Sequence, residues 1–123
     1  MNYIYTKNAP DAIGPYSQAT VVGNIVFTSG QIAINPASGA VEATDIREQT
    51  EQVCKNLSAV LEAAGSSLEK VVKTVCFLSD MGNFAPFNEV YAKYFTGKPA
   101  RSCVAVKELP KGVLVEIDTV AEV

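Results

Sequence analysis

A chain of 123 residues, acidic by three charges and without a single histidine, has room for one hydrophobic core but lacks the side chains for several kinds of chemistry. Affinity for nucleic acid rests mainly on neutralising phosphates, so an acidic balance with no run of Lys or Arg argues against that partner. The missing histidine removes Ser-His and Cys-His nucleophiles, imidazole metal ligands and imidazole acid–base chemistry, leaving proton transfer to Glu, Asp, Tyr, Cys, Lys or water.

Charged residues make up 19% of the chain, below the roughly 25% usual for soluble domains, and hydrophobic ones 48%. Apolar surface is therefore left over, which favours an oligomer. Cys54, Cys76 and Cys103 are odd in number and far apart along the sequence, matching neither a disulfide framework nor a zinc spacing. The glycines form no phosphate loop, and no metal cluster or cofactor motif is present. No apolar run reaches membrane-spanning length, and Met1–Lys7 lacks the basic end and apolar segment of a signal peptide. These features predict a reduced, cytoplasmic protein without metal or membrane, one domain over residues 1–123.

In chain order, Tyr3 to Thr6 reads as a short strand, and Asn8 to Tyr16 as a loop dense in Pro and Gly. Ala19–Val22 and Ile25–Ser29 form a predicted hairpin about Gly23-Asn24. It ends at Ser29-Gly30-Gln31, where Gly30 is either a turn residue or a place for a small ligand to approach the backbone. Asn35 to Gly39 is another turn. From Asp45 to Ala64 the period becomes helical: Ile46, Thr50, Val53, Leu57, Val60, Leu61 and Ala64 recur three and four apart as one buried stripe. Asp45 with Glu48 resembles a capping box, and Gly65 is a natural stop. Val71–Leu78 is rich in β-branched residues and predicts a strand. A second helix is expected from Phe84 to Phe95, capped by Asn83, with Phe84, Phe87, Tyr91 and Tyr94 on one face. Cys54 and Cys76 fit as small buried hydrophobes.

The last two strands, Arg101–Val106 and Val113–Val120, flank Leu109-Pro110-Lys111-Gly112 and are expected to pair as a hairpin. In that register Val104, Val106, Val115 and Ile117 face the core, and Arg101, Cys103 and Glu116 meet on the opposite face; a slip of one residue would undo the grouping. The order β-β-β-α-β-α-β-β predicts a sheet of about six strands with both helices on one face. The second face needs a partner chain unless it is polar, which puts the predicted site at a subunit boundary.

Arg101 is either an edge arginine paired to Asp118 or Glu116, or a clamp whose rigid fork suits a carboxylate. Glu116, between Val115 and Ile117, calls for a salt-bridge partner or a chemical role if buried. Cys103 as a nucleophile lacks an activating base, which favours a packing residue. Tyr16 either offers its phenol to a ligand or packs, and Asn88 is a ligand contact or an exposed helix residue.

The segments APDAIGPYSQA, FTSGQIAINPASG, NFAPFNEVYAKYF, PARSCVAV and LPKGVLVEIDTVAEV, in that order along the whole chain, resemble the RidA (YjgF) family of enamine/imine deaminases. The resemblance implies an α+β, chorismate-mutase-like fold and a homotrimer with clefts between subunits. It implies cofactor-independent hydrolysis of 2-imino acids, released by pyridoxal-phosphate dehydratases, to 2-oxo acids and ammonia. Carried over by motif, Arg101 would bind the substrate carboxylate and Glu116 would serve the hydrolytic water. Tyr16, Ser29, Gly30 and Cys103 would line the cleft, with Asn88 beside them. Ala33 stands where many relatives have Pro, and is expected to matter little. Two rival readings stay open: a non-catalytic binder of 2-oxo acids or a protein, and a translation-inhibiting endoribonuclease, which the acidic charge and absent histidine disfavour.

Overall fold

The computed structural model describes residues 1–123. Six strands form one sheet in the order β1-β2-β3-β8-β6-β7: β1 (Asn2–Ile4), β2 (Ala19–Val22), β3 (Ile25–Thr28), β6 (Val71–Leu78), β7 (Ala100–Ala105) and β8 (Val115–Glu122). A two-strand ribbon, β4 (Ile34–Asn35) with β5 (Ala40–Val41), is closed by the predicted Asn35–Gly39 turn. Two helices, α1 (Ile46–Ala63) and α2 (Phe84–Tyr94), cover one face.

Local signals in the chain explain these boundaries. Asp45 accepts a hydrogen bond from the Glu48 N–H at 2.8 Å and caps α1. Gly65, at φ +82°, ends it with Gly65 N–H bonded to the Glu62 carbonyl and Ser66 N–H to that of Leu61. The predicted stripe of α1 is buried through Ile46, Thr50, Val53, Leu57, Val60 and Leu61. Asn83 occupies the capping position of α2 but makes no side-chain capping bond. Asp80 acts earlier, accepting from the Gly82 N–H at 2.8 Å and opening a 3₁₀ turn over Met81–Asn83. Phe87 and Tyr91 bury the predicted aromatic face, with Phe84 and Tyr94 packed at its edge.

The topology corrects the expected terminal hairpin. β7 does not pair with β8; it runs parallel to β6, and β8 lies antiparallel on the other side of β6. Both helices are crossovers between parallel strands, α1 from β3 toward β6 and α2 from β6 to β7, and β8 then returns between β3 and β6. Residues opposite one another across a sheet share a face. Arg101 aligns with Thr74 and Thr119, and Cys103 with Cys76 and Ile117, all on the helix-covered face. Glu116 aligns with Phe77 and Val104 on the uncovered face. Val115 and Ile117 are in the core as predicted, whereas Val104 is 47% exposed, so β7 sits in the opposite phase to the one expected.

A buried amide ties the helix layer to the loop after β3. Asn56 Nδ2 donates to the carbonyls of Ile32 and Ile34 at 3.1 and 2.9 Å, while its Oδ1 accepts from Gln52. Asn56→Ala removes both of these bonds, leaving the Ile32 carbonyl only the Ile34 N–H, and lowers stability by about 2 kcal/mol. A denaturant midpoint equal to wild type would show that the segment holds itself in place.

Candidate functional site

Two surface hollows carry the predicted residues other than Cys103. The larger, about 580 Å³, lies between the Pro10–Tyr16 loop, the Ser29–Ile34 segment and Pro110-Lys111, with Glu116 in its wall. The Glu116 position follows from strand pairing. Beyond β3, Gln31 bridges to Ile117 with mutual backbone bonds of 2.9 and 3.2 Å, so Gly30 lies beside Glu116. A Cβ on Gly30 would overlap Glu116 Oε2 and stand 2.9 Å from its Cδ, so a glycine is what gives the carboxylate its place. Burial pushes the Glu116 carboxyl upward, and the nearby Asp118 charge adds to the shift.

The remaining walls are held by loop tethers. Ser29 donates its hydroxyl to the Ser17 carbonyl at 2.6 Å, which fixes the hairpin end against the Tyr16 loop. Gln18, buried, accepts from the Thr6 N–H at 2.7 Å and donates to the Thr6 and Pro10 carbonyls at 3.0 and 2.8 Å. Tyr16 is half exposed and presents its ring to the hollow. Gln18, Ile13, Ile32 and Lys111 join this wall without having been singled out from the sequence, because residue type alone does not say which loop side chains converge.

The second hollow, about 470 Å³, contains Arg101 and Asn88. Phe84, Asn88 and Tyr91 follow one another at spacings of four and three on α2, making a single stripe above β7. Arg101 Nη1 donates to Asn88 Oδ1 at 2.7 Å, and the guanidinium carbon stands 4.7 Å from the Tyr91 ring centroid and 5.5 Å from that of Phe84. Tyr91 is held in turn by a 2.8 Å hydrogen bond with Thr74, the β6 residue aligned with Arg101. One guanidinium N–H is thus used for positioning, and the chain supplies no carboxylate partner to the rest. The expected alternative, an edge arginine paired to Asp118 or Glu116, is not what is found.

The three cysteines, distant along the sequence, are neighbours in space: Cys76 and Cys103 are aligned on β6 and β7, and Cys54 on α1 lies over Cys76. All three are free thiols. Burial pushes each of them up, Cys76 to about 12, with Arg101 opposing the shift at Cys103. A thiol so held is a poor nucleophile. The structure therefore brings together Tyr16, Ser29, Gly30 and Glu116 in one place, and Arg101, Asn88 and Cys103 in another. The expected patch of Arg101, Cys103 and Glu116 within one chain does not form, since β6 separates the strands and the side chains leave opposite faces.

The family model described as Endoribonuclease L-PSP matches residues 6–123. The chain belongs to the RutC/RidA/YjgF (L-PSP) family. A RutC family protein of Pyrococcus horikoshii is 54% identical over 96% of this chain and 94% of its own length. Among solved structures, a Rid family protein of Yersinia pestis superposes with a TM-score of 0.96 at 52% identity, covering 99% of this chain and 98% of that one. TdcF of E. coli, solved with bound serine, gives a TM-score of 0.95 at 40% identity over 100% of this chain and 99% of its own. The six-stranded mixed sheet with two helices is thus the RidA/YjgF fold. No helix of this family member is long and apolar enough to cross a membrane.

Proposed function

We propose that the protein hydrolyses 2-imino acids and their enamine tautomers to 2-oxo acids and ammonia. The observation that carries this reading is Glu116, a half-buried carboxylate with a raised pKa, set against a glycine in a hollow without histidine or metal-binding cluster. Such a group accepts a proton near neutrality better than an ordinary exposed carboxylate. A protonated imine carbon is already electrophilic, so addition of water needs a base and a positioned substrate but no covalent nucleophile, which agrees with the elevated cysteine thiols. Arg101 supplies the positioning: its fork, steadied by Asn88 and Tyr91, takes the substrate carboxylate. Glu116 takes a proton as the water oxygen bonds to the imine carbon; the amino nitrogen of the resulting carbinolamine is then protonated, and its C–N bond breaks as the O–H proton leaves and the C=O bond forms, releasing ammonia. Serine bound to TdcF is a small molecule with an α-carboxylate and α-nitrogen, the same frame as a small 2-imino acid.

This reading requires two chains, because Arg101 and Glu116 leave opposite faces of one sheet. The uncovered face has the composition of an interface: Tyr3, Phe27 and Val104 are 70%, 46% and 47% exposed there. A homotrimer in which the β7 edge of one subunit meets the Glu116 hollow of the next completes the site. The description of the matched family model favours a second reading, RNA cleavage. A net charge of −3 and the absence of histidine place it behind the first.

The test is a coupled assay in which a threonine dehydratase generates 2-iminobutanoate and semicarbazide traps the surviving imine. The protein suppresses semicarbazone formation, and turnover climbs with pH through the raised pKa of Glu116, because only the ionised carboxylate accepts the proton. Glu116→Gln removes that rising limb and slows hydrolysis by about 10² to 10⁴-fold, the usual worth of a positioned base. A wild-type profile in the Gln variant would mean that the water needs no base; unsuppressed trapping by the wild type would remove the deaminase reading altogether.

A further inference from the structure

The backbone of this chain takes a left-handed conformation at two residues other than glycine, and both are lysines: Lys98, at φ +52°, and Lys111, at φ +57°. Lysine has no local hydrogen-bonding advantage there, unlike Asn or Asp, and such strain collects where a side chain has to be aimed. Each of the two borders a half of the site, Lys98 the Arg101 hollow and Lys111 the Glu116 cleft. Lys111 is the more informative. It sits in a tight turn, Pro110–Gly112, whose next residue Gly112 is also left-handed at φ +65°, and it lines the main cleft and the smaller hollow next to it. It has no ion-pair partner within the chain, whose two salt bridges are Arg47–Glu89 and Lys55–Glu51. Asp11, the other charged side chain of the cleft besides Glu116, accepts a hydrogen bond from the Tyr5 phenol at 3.2 Å.

Lys111 and Glu116 line the same cavity, of about 580 Å³. Tyr16, Ile13 and Ile32 line it as well, apolar surface of the kind that receives a methylene chain. A cleft that holds a candidate general base, apolar side chains and an unpaired cation matches a substrate with a second negative charge on a short side chain.

Resting on the deaminase reading, we propose that Lys111 is a specificity-determining residue which selects 2-imino acids whose side chain ends in a carboxylate. In the assembled protein the α-carboxylate goes to Arg101, the imine carbon lies at Glu116, and the distal carboxylate reaches Lys111.

The test compares wild type with Lys111→Asn and Lys111→Gly. Both replacements accept the left-handed turn, so neither loses the fold for want of a conformation. Two imines are generated in situ by amino-acid oxidases, one from 2-aminobutanoate and one from glutamate, and semicarbazide reports their survival. The expected result is a fall of about tenfold or more in the ratio of kcat/KM for the dicarboxylic over the monocarboxylic imine in both variants, the worth of one charge-assisted hydrogen bond, with Lys111→Arg restoring the ratio. An unchanged ratio overturns the assignment. Calorimetric binding of the products, 2-oxoglutarate against 2-oxobutanoate, separates this failure from that of the deaminase reading because it needs no turnover. Wild type should prefer the dicarboxylate and Lys111→Asn should lose the preference. Equal preference in both proteins, or binding of neither ligand, counts against Lys111.

Discussion

Arg101→Lys lowers kcat/KM for 2-iminobutanoate by about 10²-fold, with the folded chain intact. Lysine keeps the charge and can still reach Asn88, but a point charge replaces a planar fork whose geometry matches a carboxylate and whose face rests on Tyr91 and Phe84. A lost charged hydrogen bond is worth about 1.5–3 kcal/mol, which sets the fold-change. Thermal unfolding should move little, since the guanidinium is only partly buried and lysine can keep the bond to Asn88. Near-wild-type kinetics in this variant would remove the clamp. Arg101 also provides the sharpest test of where the site lies. Chains carrying Arg101→Ala and chains carrying Glu116→Gln, each inactive alone, should regain about a quarter of wild-type activity when refolded together in equal amounts. Random assembly of a cyclic oligomer places an intact Arg101 beside an intact Glu116 at about that fraction of interfaces. A site built within one chain would recover nothing.

Gly30→Ala should fold and fail to turn over. An added methyl overlaps Glu116 Oε2 and lies 2.9 and 3.1 Å from Cδ and Cγ, so the carboxylate has to swing away. Gly30 does not use a left-handed backbone, so alanine is conformationally acceptable there. The obstruction is the end of a flexible side chain, and the stability cost should stay near about 1 kcal/mol, at the low end for overpacking. Displacement of the base from the reacting carbon by about 1 Å costs on the order of 10²-fold in rate. Kinetics in the coupled assay alongside a denaturant melt separate the two effects. Full activity in Gly30→Ala would detach the observed position of Glu116 from the chemistry. Loss of both activity and fold would make Gly30 a structural residue first.

Much of this was legible before the fold was known. The stripe from Ile46 to Leu61, its Asp45 cap and its Gly65 stop are set by hydrogen bonds and packing within a few residues, and they appear where expected. The same holds for the Ala19–Val22 and Ile25–Thr28 hairpin and for the strand Val71–Leu78. Asn83 stands at the cap position of α2 as expected but makes no side-chain capping bond, while Asp80, three residues earlier, caps the 3₁₀ turn that leads into the helix. Ser29 reads differently in the structure: its hydroxyl is committed to Ser17, so its contribution to the cleft is to hold the wall.

What the amino-acid sequence determined by itself is the two helices and the strands of the main sheet, the chemistry excluded by the absence of histidine, and the residues worth watching, because propensity, capping and composition are local properties. The tertiary structure decided which strands are neighbours and hence which face each residue takes. Arg101–Ala105 and Val115–Glu122 carry two alternating patterns that fit a hairpin equally well, and nothing local reveals that α2 makes β7 parallel to β6 while β8 inserts on the far side. A strand pattern has a period of two and no record of its partner. Only the packing of α2 aromatics over β7 and of Gly30 against β8 could send Arg101 and Glu116 to opposite faces.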